Sequence, residues 1–282
     1  MHDMVRSLAL DISRGDTKII EHQCILKEGG SLKLSNGSTT SVDITRQELI
    51  ERTKGLRVLG LVSVGRGELG YVFGELKHLR YLDIVGNNIE CLSPCLGKLY
   101  HLQTLRIFSF GRMPISPEDF TKLPNLRHLC TNLKMEIPVG LGMLTSLQTL
   151  PSIDLDKHSW GGRASELGSL RNLKGKLRLE GFRDAGITEE LKQMKLGTKE
   201  NVEKLVLKFH SHLSGDEEDV NHVTMLEALV PHPNLVALEI TGYRSKALPN
   251  WMMEMTGYEG TPFEILFLSS FGVLVSLSNC HP

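Results

Sequence analysis

A chain of 282 residues that is 40% hydrophobic can bury a sizeable core, but it is long for one ordinary domain unless it grows by stacking repeated units. Its formal charge of -1, from 32 basic and 33 acidic residues, excludes a chain-wide field for nucleic acid or an anionic membrane, so any electrostatic signal is local. Five dispersed cysteines, an odd number (Cys24, Cys91, Cys95, Cys130, Cys280), exclude a secreted disulfide framework and imply a reducing, cytoplasmic setting.

The first segment, "MHDMVRSLALDIS", carries Asp3, Arg6 and Asp11 and has no apolar h-region, so it does not read as a signal peptide. Its Val5, Leu8, Ala9 and Ile12 fall at helical spacing. From about residue 49 another spacing takes over. "LKHLRYLDI" sets Leu76, Leu79, Leu82 and Ile84 three, three and two residues apart, which fits neither a helix nor a simple alternating strand. The same pattern returns around Leu59, Leu82, Leu105, Leu129, Leu150, Leu177, Leu205 and Leu238, at intervals of 23, 23, 24, 21, 27, 28 and 33 residues, with a ninth copy at "FEILFL" using Phe263, Leu266 and Leu268. Such self-similarity predicts a leucine-rich repeat in which "LxL" is a strand with both apolar residues inward and the preceding "LxxL" turns the chain into it.

In that frame Asn87 stands where an asparagine ladder would form, whereas Val64, Phe110, Lys134, Leu155, Phe182, His210 and Tyr243 fill the column elsewhere. The array is therefore expected to be irregular, with aromatic filling at several coils. Pro94, Pro114, Pro138 and Pro249 predict extended returning segments. Two excursions predict helices: "GITEELKQMKL", with Ile187, Leu191, Met194 and Leu196 on one face and Thr188 as cap, and "DVNHVTMLEALVPHP", with Val223, Leu226 and Leu229 before Pro231. Between them "HSHLSGDEEDVNH" reads as a solvated charge run rather than a metal site. Ile265 to Leu277 is apolar for only thirteen residues, short of the ~20 that span a bilayer, and reads as terminal core.

Four stretches, "TKENVEKLVLKF" among them, carry a family resemblance. "MHDMVRSLALDIS" resembles the segment that closes the nucleotide-binding region of plant intracellular immune receptors, the nucleotide-binding leucine-rich-repeat disease resistance proteins. "ELGSLRNLKGKLRLEGF" and "LEALVPHPNLVALEITGYRSKALPNWM" are similar to later repeats of the coiled-coil class of that family. The resemblance implies an α/β leucine-rich-repeat solenoid, an irregular horseshoe with a parallel sheet on its concave face. Residues 1–48 would be a winged-helix remnant and residues 49–282 about eight or nine repeats. It also implies that His2, in the Met1-His2-Asp3 triplet, approaches the phosphates of ADP when an upstream nucleotide-binding region is present.

Within the chain itself no cofactor or metal is expected. Gly97-Lys98 and Gly175-Lys176 lack the glycine five residues earlier and the following Ser or Thr of a phosphate-binding loop. No nucleophile motif appears, so the chain does not read as an enzyme. The strand positions flanking the inward leucines are basic: Arg57, Arg80, Arg106, Arg127, Lys176, Arg178, Lys204 and Lys208 against Asp83, Glu180, Glu203 and Glu239. Tyr81, Phe108 and His128 lie among them, and Tyr and Arg are common interface anchors. This face is expected to bind an acidic protein, either the receptor's own nucleotide-binding region or a pathogen effector. A free-standing repeat adaptor or decoy and an ADP/ATP switch stay open as rivals. No nucleic-acid reader motif appears.

Overall fold

The computed structural model describes residues 23–26, 32–35, 42–44, 55, 57–64, 74–86, 96–109, 116–155, 163–182, 188–209, 222–245, 247–254, 264–268 and 274–278. The chain divides into two compact units, Met1–Leu133 and Lys134–Pro282. The first opens with an antiparallel sheet of β1 (Gln23–Leu26), β2 (Leu32–Ser35) and β3 (Val42–Ile44). Its repeats then form a parallel sheet, in chain order, of β4 (Val58–Val64), β5 (Tyr81–Gly86), β6 (Thr104–Ser109) and β7 (His128–Thr131). The second unit carries β8 (Ile153–Asp154), β9 (Lys174–Phe182), β10 (Asn201–Phe209), β11 (Ala237–Thr241), β12 (Glu264–Leu268) and β13 (Leu274–Ser278) as one consecutively ordered sheet. Its pairs are parallel except the last, where β13 runs back along β12.

The three-three-two spacing has a direct mechanical cause. Leu79 N–H donates to Leu76 O, Leu102 to Leu99 and Leu126 to Leu123, each at 3.0 Å, so "LxxL" is a tight turn that aims both leucines one way. The chain then extends. Arg57 O accepts from the N–H groups of both Arg80 and Tyr81, Arg80 O from Gln103 and Thr104, and Gln103 O from Arg127 and His128. Each coil thus starts its strand on one carbonyl of the coil before. Leu59, Leu82, Leu105 and Leu129 fall opposite one another in the ladder. Leu82, Leu105 and Leu129 are buried, and Leu59 is half-buried.

Several expectations are corrected. Ile153 pairs with Leu179, so counting back two residues sets buried Pro151, not Leu150, opposite Leu177, and leaves Leu150 half-buried. A proline after Leu150 holds that residue extended and delays the inward pair by one position. The ninth repeat forms, but Ile265 and Phe267 face Leu238 and Ile240 across the ladder, again one residue from the expected Leu266 and Leu268. The longer step from Leu173 to Leu177 is taken up near Gly175, which is left-handed at φ 68, and the β9–β10 register slips between Val202 and Lys204.

Asn87 lies outside the described residues, and the ladder asparagines that do appear use other positions. Asn132 holds Ser109 through both backbone groups. Asn125, Asn172 and Asn234, each just before the leucine that closes its turn, donate to Tyr100 O, Thr145 O and Glu200 O one coil earlier. Aromatic filling is present around Phe209, with Phe182 at 5.0 Å, His222 at 4.7 Å and Tyr243 at 5.7 Å between ring centroids. Gly242 permits this packing: it is left-handed, and a Cβ there would meet Phe209 O at 2.5 Å.

Pro94 and Pro114 lie outside the described residues; elsewhere the returning segments are helical, as expected of the two excursions but against the extended reading of Pro138 and Pro249. They hold α1 (Pro117–Phe120), a 3-10 turn (Leu141–Met143), α2 (Ala164–Ser169), α3 (Thr188–Gln193), a second 3-10 turn (Leu196–Thr198), α4 (His222–Ala228) and α5 (Asn250–Glu254). Pro138 and Pro249 open helical turns instead of preventing them, their carbonyls accepting from Leu141 and from Met252 and Met253, because a proline at a helix start gives up an N–H that has no partner anyway. Thr188 is the first helical residue of α3, and Ile187 lies outside the described residues.

Neighbouring coils cap these short helices in the second unit. Glu166 accepts from Gly140 N at 2.9 Å and Gly142 N at 2.7 Å, Glu227 accepts from Asn250 N, and Trp251 Nε1 donates to Leu226 O. Lys199, 1% exposed, donates to Leu167 O at 2.7 Å and Leu170 O at 3.0 Å at the carboxyl end of α2, where a cation is favoured. Burial, with the charge of Arg171 acting the same way, lowers its pKa from 10.5 to about 8.

Replacing Leu129 by Ala is expected to cost about 3 kcal/mol in urea unfolding, against roughly 1 kcal/mol for Leu150→Ala. Equal losses would contradict the one-residue slip at Pro151. Gly168→Ala would bring a Cβ within 2.2 Å of Gln193 O between α2 and α3, and the same unfolding measurement should show a loss of about 2 kcal/mol or more.

Candidate protein-binding faces

In the first unit the residues between the inward leucines form rows across the strands. Tyr81, Thr104 and His128 share one row, Asp83, Arg106 and Cys130 the next, and Val85 and Phe108 a third. Ahead of the strands, the backbone bonds stack Arg57, Arg80, Gln103 and Arg127 in a fourth. The centre is held by an ion pair: Arg106 Nη1 meets Asp83 Oδ2 at 2.7 Å, Tyr81 Oη lies 3.4 Å from the same oxygen, and the guanidinium sits 5.1 Å over the Phe108 ring. Tyr81 is only 5% exposed, and burial raises its pKa. Arg106 and Tyr81 therefore shape the face more than they offer it charge. Arg80 and Arg127 are exposed and Arg57 half-buried, and none has an acidic partner among the described residues. His128 and Phe108 are half-buried beside them.

The second unit's face is organised around Glu180. This carboxylate receives Ser152 Oγ at 2.8 Å, Lys134 Nζ at 2.9 Å and Arg178 Nε at 2.5 Å, with Lys208 Nζ at 4.0 Å. Burial alone would raise its pKa, but the hydrogen bonds from Lys134, Ser152 and Arg178, together with the Lys134 charge, bring it down from 4.5 to about 2. Lys204 pairs with Glu239 at 3.0 Å. Lys176 is exposed and has no acidic partner among the described residues.

Of the eight cations expected on this surface, Arg106, Arg178, Lys204 and Lys208 are engaged with carboxylates, while Arg57, Arg80, Arg127 and Lys176 are not. His2 and the charged segment at 210–221 lie outside the described residues. Among the described residues no group of three or more metal-binding side chains occurs, and no helix is long and apolar enough to cross a membrane.

Sequence reasoning overlooked Lys134 as a partner of Glu180, although it stood in the recognised ladder column. It also missed Lys199, which occupies a leucine slot: Lys199, Val202, Leu205 and Leu207 keep the three-three-two spacing. Starting that copy at Val202 hid the lysine.

Stacked "LxxLxxLxL" coils with parallel strands on one side and short helices on the other define a leucine-rich-repeat protein. A family model for the leucine-rich repeat region matches residues 38–257, and the chain belongs to that family. Over 258 residues, 89% of this chain, it is 31% identical both to disease resistance protein RGA1 and to disease resistance protein RGA2 of Solanum bulbocastanum. It spans about a quarter of their length, 25% and 26% respectively. A leucine-rich-repeat protein of Leptospira interrogans has a similar fold, with TM-score 0.51 and 21% identity over 76% of this chain and 49% of that one.

Glu180 gives the acid stability a defined sign. Its folded pKa lies below the ordinary 4.5, so its stabilisation is complete above about pH 5 and is lost as the pH falls toward 2. In urea titrations Glu180→Gln should remove about 3 kcal/mol at pH 6 and almost nothing near pH 2. A difference that does not change with pH would refute the assignment.

Proposed function

We propose that this chain is the protein-recognition and autoinhibitory module of a plant intracellular immune receptor, acting in the cytoplasm in defence against pathogens and binding proteins without catalysing a reaction. The observation that carries the reading is the row Arg57, Arg80 and Arg127. Three coils bring guanidinium groups to the same place, and no carboxylate of the described residues neutralises them. Beside the row lie half-buried Phe108 and His128, with Tyr81 buried beneath the face, so an acidic partner meets charge at one margin and aromatic surface further along the strands. Similarity to the two resistance proteins supports the biological setting.

In this reading residues 1–48 close a nucleotide-binding region and residues 49–282 form the recognition array, with His2 near nucleotide only where that region precedes it. Docking of the arginine row on an acidic part of the receptor favours the resting state. An effector that competes for the row removes that preference, which is the coupling allostery requires.

The double variant Arg80→Glu, Arg127→Glu tests this by calorimetric titration against the nucleotide-binding region of a receptor carrying these repeats. Affinity should fall at least about tenfold, and wild-type affinity should weaken as salt rises from about 50 to 300 mM. Unchanged affinity in the variant, with its fold intact by circular dichroism, overturns the reading.

A further inference from the structure

On the second unit's strand face, three cations from separate stretches of the chain gather on one buried carboxylate. Glu180 is 4% exposed, whereas the Lys134, Arg178 and Lys208 side chains around it are 50%, 38% and 48% exposed. Arg178 commits only Nε to Glu180, and its two terminal nitrogens have no acceptor among the described residues. Lys208, at 4.0 Å, is beyond hydrogen-bond reach and also keeps its donors. It stands directly across from Glu180 on β10, hence diagonal to Arg178, about 8 Å away by sheet geometry.

The cations are not in excess over the whole row: Lys134, Arg178 and Lys208 face Glu180, Asp154, its register neighbour on β8, and Glu136, one coil further along the same row. They are segregated within it, since Lys208 lies on the opposite side of Glu180 from Asp154 and Glu136, which leaves the Arg178–Lys208 end cationic. Lys204 and Glu239 cancel as a pair, and exposed Lys176 and Glu203, near the starts of β9 and β10, add no net charge. A cation on a long side chain usually loses rotamer freedom when it binds; here the buried carboxylate has already ordered Arg178 and Lys134.

We propose that this cluster binds a phosphate monoester carried on a side chain of a partner protein, an inference that rests on the reading of the strand faces as protein-binding. The terminal nitrogens of Arg178 present a planar fork to two phosphate oxygens, and Lys208 supplies a point charge to a third. A carboxylate has only two oxygens and would use the fork alone. A phosphate monoester offers three acceptor oxygens and nearly two negative charges at neutral pH.

The test is fluorescence anisotropy of the 282-residue chain with a degenerate peptide library fixed at phosphoserine, against libraries fixed at serine and at glutamate. The phosphoserine library should bind at least about tenfold more tightly than either. Lys208→Met, which breaks no hydrogen bond in the fold, should weaken it several-fold, and Arg178→Lys should weaken it while keeping the charge. Equal binding of the phosphoserine and glutamate libraries overturns the proposal, as does a phosphoserine affinity unmoved by Lys208→Met. Inorganic phosphate binding as tightly as the peptide marks a free-anion site and overturns the side-chain source. Serine peptides binding as well as phosphoserine peptides overturn this inference yet leave the protein-binding reading standing, because that reading is decided separately by the Arg80 and Arg127 reversals.

Discussion

No coil of this chain can satisfy itself, and the rest of the structure depends on that. Leu79 and Leu82 are fully buried, but a single turn-and-strand unit has nothing of its own to cover them. Two lateral contacts solve the problem together. The leucines stack on those of the next coil, each burial contributing about 2 kcal/mol, and in the first unit the carbonyls of Arg57, Arg80 and Gln103 each accept two N–H groups where the next coil enters its strand. The carbonyl at Arg80 thereby fixes where β6 begins, and so which of its residues face inward. Apolar spine and polar ladder enforce the same register, a consistency expected of sequences that specify one structure.

On the helical side the same dependence takes a polar form. Helices of four to seven residues leave most of their terminal N–H and C=O groups without an internal partner. The second unit answers with side chains from adjacent coils: Glu166 at the start of one turn, Lys199 at the end of α2, Glu227 and Trp251 between α4 and α5. Lys199 shows the cost of this arrangement. An amine in a leucine slot loses its hydration, which is why its pKa falls, and two carbonyls at a helix terminus compensate in part. Between about pH 8 and 10.5 the folded chain binds fewer protons at this site than the unfolded chain, so this site's contribution to stability rises with pH across that interval.

The spine was legible in the sequence because leucine repetition is a one-dimensional signal that stacking converts directly into contact. Leu82, Leu105, Leu129, Leu177, Leu205 and Leu238 needed no three-dimensional information. Errors arose where a coil changed length by one residue. At Ile265 the apolar composition fits two registers equally, and at Pro151 the leucine of the repeat pointed to the wrong one; pairing with the neighbouring strand selects the register in both. The strand faces were legible as a basic composition but not as an electrostatic surface, because charge pairing across coils joins residues more than twenty positions apart. Asp83 and Arg106, or Lys134 and Glu180, show no sequence proximity that would announce them. The aromatic group around Phe209 was half-legible: Phe182 and Tyr243 were placed in the filling column, while Phe209 itself sits next to the expected His210.

These pairings change what a basic face means. Counting cations treats all eight as equivalent, yet exposed charge steers a partner only if no internal carboxylate already holds it. Arg106 is locked between Asp83 and Phe108, so its removal would disturb the sheet face before it disturbed any partner. Arg80 and Arg127 hold nothing in place, and their charge is available at little structural cost. Glu180 works in a third way, as an anchor beneath cations whose outer N–H groups still face solvent. A neutral chain can therefore present two differently built cationic surfaces, a row of independent guanidinium groups on one unit and a carboxylate-centred cluster on the other. Independent groups suit a partner with dispersed acidic residues, because each contact adds separately and is screened by salt. The centred cluster suits a compact anion, because its donors converge and their order is set by the fold.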